Sequence, residues 1–313
     1  SWDSQLEISW NRNKLLALNG TASASILGYG MWTDIVSKSD VGHPLFQFYG
    51  YKCDGVYKNL ADLQNWAKPT AYPANGQFNK STTPWVGDIR YKDLNKDGKI
   101  DESDRTYLGS PMPKYTFGWT NTFHYKDFDL SVFVNGSVGN KVFNYLSIQL
   151  TEMNNLYVNQ LKKVNNHAVI TAINPNKDYS SGYKGNNAIT AYHWYDDIDN
   201  VQVLNGGSMP RVVVGDPNEN NRISDRYVEN GSYLRIKNIT LGYTFPKRIL
   251  APIHIENIRL YCNIQNLCTI TVYKGYDPEV GASSADQNGY VYGLDYGRYP
   301  SPTVYSFGLN VTF

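Results

Sequence analysis

An excess of charge of either sign is missing from this chain. Lys and Arg number 29 against 28 Asp and Glu, a formal charge of +1 over 313 residues. With no basic block either, the global field gives no reason to expect nucleic acid as a partner. Long apolar runs are missing too: none approaches the ~18 residues that a membrane-crossing helix needs. That excludes a transmembrane helix and leaves a transmembrane strand open. Such strands alternate lipid-facing with lumen-facing residues and keep hydropathy low, and the mean hydropathy here is −0.47. Cysteine is scarce. Cys53, Cys262 and Cys268 make no disulfide framework, and on one strand the last two stand about 20 Å apart, too far to bridge. Finally, no positively charged n-region and apolar h-region follow Ser1 and Trp2. The expectation is a chain that has lost a leader or is an internal piece.

Catalytic signatures are equally thin. Five histidines (His43, His124, His167, His193, His254) include no pair at metal-ligand spacing, so they read as solvated or packed side chains. There is no G-x-S-x-G, no P-loop and no G-x-G-x-x-G. Asp196, Asp197 and Asp199 beside His193 could suggest a hydrolase. Paired-carboxylate catalysis is defined by separation in space, however, and polar loops often carry such runs. Asp277-Pro278-Glu279 after Gly275 reads as a turn. The chain is expected not to be an enzyme.

What is present is tyrosine, 26 of them, and a period of two. Amphipathic rings suit membrane-water interfaces and sugar-stacking surfaces. Even positions over 16–26 (Leu16, Leu18, Gly20, Ala22, Ala24, Ile26) oppose polar odd ones, which predicts one two-faced strand. Tyr115, Phe117, Trp119, Phe123 and Tyr125 alternate with polar residues up to Lys126-Asp127, after which Phe128, Leu130, Val132 and Val134 resume: a β-hairpin. Ile239, Leu241, Tyr243 and Phe245 continue the pattern, while Leu234 and Ile236 sit on the opposite parity and predict a bulge near Lys237. Ile258 to Ile264 and Tyr305 to Phe313 give two more strands, and 5–10 is a further candidate. Between them lie polar connections, 30–113, 140–224 and 269–300, longer than compact sandwiches usually carry. The stretch 142–163 has mixed apolar spacing and reads as partly helical.

The most explicit chemistry is "DLNKDGKIDESD". Against D-x-[DN]-x-[DN]-G-x5-E it supplies Asp93, Asn95 and Asp97, then Gly98, a backbone carbonyl from Lys99, and Asp101. Asp104 stands where Glu is usual. Hard oxygens at alternate positions let a tight loop wrap Ca²⁺, and glycine permits the sharp turn. A sensor needs helices on both sides. Here 87–92 reads as a short strand and 101–108 as about two helical turns before Gly109 and Pro111. A structural Ca²⁺ clip is expected; a metal-free Asx-type turn is the alternative.

Four blocks, "FYGYKCDGVY" (48–57), "GDIRYKDLNKDGKIDESDRTYLGSPMPKYTFGWTNTFHYKDFDLSVFVNGSVGN" (87–140), "SDRYVENGSYLRIKNITLGYTFP" (224–246) and "NLCTITVYKGYDPEV" (266–280), resemble the C-terminal half of SusC/RagA-type TonB-dependent outer-membrane transporters of Bacteroidetes. Terminal Phe313 with Leu309 and Val311 resembles their assembly signal. The resemblance implies an all-β chain, the C-terminal portion of an antiparallel transmembrane β-barrel of about 22 strands with long extracellular loops. It implies import of oligosaccharides, or of oligopeptides, across the outer membrane of a Gram-negative bacterium. The implied partners are a SusD-like lipoprotein lid, outer-membrane lipid, the remaining barrel and plug on another chain, and TonB through that missing part. On this reading 84–113 is a calcium-type insert, 140–224 and 269–300 are extracellular loops, and Trp32, Trp66, Trp85, Tyr192 and Trp194 are candidate substrate-stacking residues. The alternative is a secreted, calcium-stabilised β-sandwich that binds glycans; a carbohydrate-active hydrolase stands third.

Overall fold

A computed structural model of the chain describes residues 1–18, 24–30, 34–153, 157–281 and 291–313. Its largest element is a six-stranded antiparallel sheet in which spatial order follows chain order. The strands are β1 (Trp2–Ser9), β2 (Tyr115–Tyr125), β3 (Phe128–Val138), β4 (Tyr233–Thr244), β5 (Asn257–Thr271) and β6 (Val304–Thr312). Register explains the alternation. Trp2, Phe123, Leu130, Leu241, Cys262 and Phe307 form one row across all six strands. The next row is Asp3, Thr122, Ser131, Thr240, Asn263 and Ser306. One face is therefore apolar and the other polar, as a pleat of period two dictates. The apolar face is uncovered: Trp2 is 64% exposed and Phe307 81%.

Local chemistry sets the turns and the bulge. Lys126 takes a φ of 52° in the tight β2–β3 connection. Lys237 is skipped in the pairing with both β3 and β5, so Leu234 and Ile236 rejoin the apolar face despite their parity.

Connections differ sharply between the two ends. At one end β2–β3 and β4–β5 are joined by 126–127 and 245–256. At the other, 10–114, 139–232 and 272–303 leave the sheet and pack on one another. Val36 and Phe48 from the first, Phe143, Tyr145 and Ile223 from the second and Leu294 from the third share one buried cluster. Tyr57, Phe78 and Trp85 meet Ile198 and Val201 in another. A third joins Val56, Ile89, Tyr91 and Ile100 to Ala168. The hydrophobic core thus lies in the connections, not against the sheet.

Two expectations are corrected here. The all-β portion of a roughly 22-stranded antiparallel transmembrane barrel, with its description as a β-barrel membrane protein, does not match the observed architecture. The described residues make six separate sheets, and two pairings are parallel, Phe143–Asn144 with Leu294–Asp295 and Lys68–Pro69 with Lys99–Ile100. The largest sheet stays open: β1 pairs only with β2 and β6 only with β5. Among the described residues no helix is long and apolar enough to cross a membrane, which says nothing about strands.

Smaller corrections are local. Of the strand expected over 16–26, residues 19–23 lie outside the described set, and strand begins only at Ser25–Tyr29. The two helical turns expected over 101–108 reduce to a 3₁₀ turn, Glu102–Asp104, followed by strand Thr106–Gly109. Pairing of that strand with Gln47–Gly50 outweighs local helix preference. Within the described residues of 142–163 the helical parts are Leu146–Gln149 and the start of the 3₁₀ helix Lys162–Asn166.

Candidate functional site

The loop 93–104 is closed by its own side chains. Asp93 accepts from the amides of Lys96 (2.5 Å) and Gly98 (2.9 Å), Asn95 from that of Asp97 (3.0 Å) and Asp97 from that of Lys99 (2.8 Å). These contacts demand left-handed backbone at Lys96 (φ 63°) and Gly98 (φ 82°), which glycine supplies without strain. Asp104, fully buried, accepts from Leu94 (2.8 Å) and Asp101 (2.9 Å) and so ties the end of the loop to its start. The Lys99 amide and the Asn95 side-chain amide beside Asp97 hold its carboxyl below the usual range. The carbonyl of Gly98 accepts from Lys68, which fastens the loop to the neighbouring segment.

Hard oxygens on a loop turned by Gly98 match calcium chemistry, and an oxygen accepting one amide retains a lone pair for a cation. Yet among the described residues no three His, Cys, Asp or Glu side chains converge on a common metal position. The donor types fit Ca²⁺; a preformed cage is not seen.

The aromatic candidates separate. Trp85 is 1% exposed, packed with Tyr57, Leu63 and Phe78, and offers no face to a ligand. Trp66 donates its indole N–H to the Tyr91 carbonyl (2.8 Å), and the Arg90 guanidinium covers its ring at 4.1 Å. Trp32 lies outside the described residues. Tyr192 and Trp194 are exposed, beside His193 stacked on Tyr195. The acidic run next to them is structural. Asp197, fully buried, accepts from Lys177 (2.7 Å) and Tyr179 (2.8 Å), and Asp199 accepts from Tyr183 (2.8 Å) and Asn186 (2.7 Å).

Sequence reasoning missed the polar interior of the connections. Arg211, 6% exposed, donates to both oxygens of fully buried Asp88 at 2.7 and 3.1 Å. Asn220 bridges Asp88 to Asp216, whose carboxyl is pushed up to about 6 by burial and by the nearby Asp88 charge. Near it opens a polar cavity of about 500 Å³ lined by Asp34, Tyr145, Gln149, Glu152, Glu219 and Arg222. Glu219 fixes Arg222 at 2.8 Å, and the guanidinium also lies over the Tyr51 and Tyr91 rings. A second clamp holds the 272–281 segment to the sheet. Arg235 reaches Asp277 (2.5 Å) and Glu279 (2.6 Å). Burial alone would raise the Asp277 carboxyl, but the amides of Glu279 and Ser301 and the guanidinium of Arg235 hold it below the usual range. Only the Asp-Pro-Glu spacing hinted at this, and it read as a turn.

The fold and the loop define a β-rich protein dominated by its packed connections. Comparison with known proteins gives that class its context. No family model matches. The whole chain aligns at 29% identity with TonB-dependent receptor P3 of Formosa agariphila, covering 27% of that receptor. It aligns at 25% with TonB-dependent receptor SusC of Bacteroides thetaiotaomicron, covering 24%. The chain thus spans about a quarter of the curated relatives it matches. The structure of the RagAB peptide transporter superposes with a TM-score of 0.61 at 18% identity, covering all of this chain and 27% of that one, a likeness of fold alone. The chain is similar, at low identity, to SusC and other TonB-dependent transporters over about a quarter of their length. Such transporters are non-catalytic, consistent with the expectation that the chain is no enzyme.

Proposed function

We propose that the chain is the C-terminal part of a SusC/RagA-type importer in the outer membrane of a Gram-negative bacterium. It takes up oligosaccharides or oligopeptides with a SusD-like lipoprotein as lid, and TonB acts through a plug-bearing remainder of the transporter. Alignment of the whole chain with TonB-dependent receptors carries this reading. The three packed connections support it, because they gather every long loop at one end of the sheet, where a lid and cargo would meet them. Tyr192 and Trp194 are the aromatic candidates left free there to stack on cargo. Within the same reading Asp93, Asn95, Asp97, the Lys99 carbonyl, Asp101 and Asp104 hold a structural Ca²⁺ that stiffens the first connection. The test is uptake of labelled oligosaccharide and oligopeptide pools by cells with and without the gene, in TonB-competent and TonB-deficient backgrounds. Loss of one pool on deletion, in the TonB-competent background only, is expected; unchanged uptake of both pools rejects the importer.

A further inference from the structure

Arg222 uses only part of its hydrogen-bonding capacity. Its guanidinium lies over the rings of Tyr51 (5.2 Å) and Tyr91 (5.4 Å), and its Nε donates to Glu219 (2.8 Å). Two buried rings and a carboxylate thus fix its direction, and the side chain is 10% exposed. The Nη edge is left over. Among the described residues Nη1 and Nη2 meet no hydrogen-bond partner, yet neither is sealed from solvent. A planar fork held in one direction takes a carboxylate through two parallel hydrogen bonds. Arg222 lines the polar cavity of about 500 Å³ between the first and second connections, a volume within the roughly 300–1,000 Å³ of small-ligand sites. Its walls are joined by backbone: the Tyr51 amide donates to the Ile223 carbonyl (2.9 Å), and the Asp225 amide to the Tyr51 carbonyl (3.0 Å). Asp34 and Glu152 line the same cavity. Asp34 accepts from the Tyr145 hydroxyl (3.3 Å) and Glu152 from the Asn221 side-chain amide (3.3 Å), and neither carboxylate meets a cation among the described residues. With Glu219 the walls carry three carboxylates against one guanidinium, a formal excess of two negative charges. Ile148 and Ile223 add apolar surface.

We infer that this cavity binds a short peptide by its two free ends, with the carboxylate on the Nη edge of Arg222 and the ammonium on Asp34 and Glu152. The charges of the walls select against other cargo. A neutral oligosaccharide offers hydroxyls alone and compensates neither the guanidinium edge nor the two carboxylates. A sugar acid would satisfy Arg222 but meet Asp34 and Glu152 with a like charge, and a simple amine would leave the fork unmatched. A ligand carrying both signs answers all three groups, and a peptide adds side chains for Ile148 and Ile223. The inference deepens the importer reading and rests on it only for the arrival of the peptide as cargo, since binding is read without transport.

The test uses the native assembly containing this chain, purified intact, with trialanine as probe and titration calorimetry as readout. Trialanine is expected to bind, and its C-terminal amide and its N-acetyl form to bind at least about tenfold more weakly, each having lost one charge-assisted contact. Arg222→Gln is expected to weaken trialanine about tenfold and to leave the amide unchanged. Asp34→Asn with Glu152→Gln is expected to weaken trialanine and to leave the N-acetyl form unchanged. A merely structural role does not make each end of the ligand depend on one wall. If Arg222→Gln lowers the melting temperature, the second variant decides, because its amide oxygens still accept from Tyr145 and Asn221. Equal binding of trialanine and its capped forms overturns the inference, as does no binding of trialanine at millimolar concentration. Displacement of trialanine by a neutral trisaccharide at equal concentration overturns the peptide assignment. Trialanine bound, with uptake unchanged on gene deletion, rejects the importer and keeps the subsite; trialanine unbound, with TonB-dependent uptake lost on deletion, rejects the subsite and keeps the importer.

Discussion

Asp88 and Arg211 form the most buried ion pair of the connections, and each is costly without the other. Removing one partner leaves an uncompensated charge, with an expected loss of about 3–5 kcal/mol, whereas replacing both by apolar residues of similar volume costs far less. Chemical denaturation of Arg211→Met, Asp88→Leu and the double variant measures this; equal losses in all three contradict it. Asp216 is linked to pH in the opposite sense to an ordinary salt-bridged carboxylate. Its folded value of about 6 lies above the ordinary 3.8, so the folded protein holds the proton more tightly than the unfolded chain. The stability it contributes is full below the unfolded value and is lost as pH rises through about 6, roughly 2–3 kcal/mol in all. The stability of wild type relative to Asp216→Ala is therefore expected to fall by that amount between pH 4 and pH 7, read from urea midpoints. None of this was legible in the sequence. Asp88 is more than a hundred residues from Arg211 and Asp216, and only the packing of two connections brings it to them. Trp85 shows the same limit, since a tryptophan in a polar connection reads as exposed until Tyr57 and Phe78 are seen to surround it.

Elements were legible where their cause is local. The β2–β3 hairpin and the bulge at Lys237 follow from a period of two and a single break in parity, both visible within a dozen residues. Segment 106–109 became strand because Gln47–Gly50 lies beside it, a partner that no local pattern reveals. The loop 93–104 sits between these cases. Its spacing predicted oxygens at alternate positions around a sharp turn at Gly98, with a metal-free Asx-type turn as the alternative, but not whether the oxygens converge on a cation. Asp93→Ala with Asp97→Ala is expected to remove one bound Ca²⁺ per chain from the purified assembly, measured by elemental analysis after dialysis, and to speed proteolysis between 93 and 104. Unchanged calcium content assigns the loop to the metal-free alternative. Gly98→Val tests the backbone alone. At φ 82° a β-branched residue is strained, and about 1–3 kcal/mol of destabilisation is expected whether or not metal binds.

At the scale of the molecule the alternation told which residues share a face but not whether the sheet closes, because closure depends on partners for the first and last strands. Those strands carry unpaired backbone groups along their outer sides. Between them lies a continuous apolar face, with Phe128, Leu241, Leu260, Phe307 and Leu309 lining a cleft of about 480 Å³. An apolar face of this extent and two open edges are the features by which sheets associate. The packed connections cannot relieve this, since their core is formed among themselves and β6 is exposed along almost its whole length. The isolated 313-residue chain is therefore expected to self-associate in detergent-free buffer. Phe307→Asp with Leu309→Asp places two charges on the uncovered face, where no buried contact is lost. Sedimentation velocity should show a shift toward monomer without a change in the melting transition of the connections. Association equal to wild type would locate the contact elsewhere, on the exposed aromatic run around Tyr192 and Trp194, and would separate the sheet face from the loop end as the surface that seeks a partner.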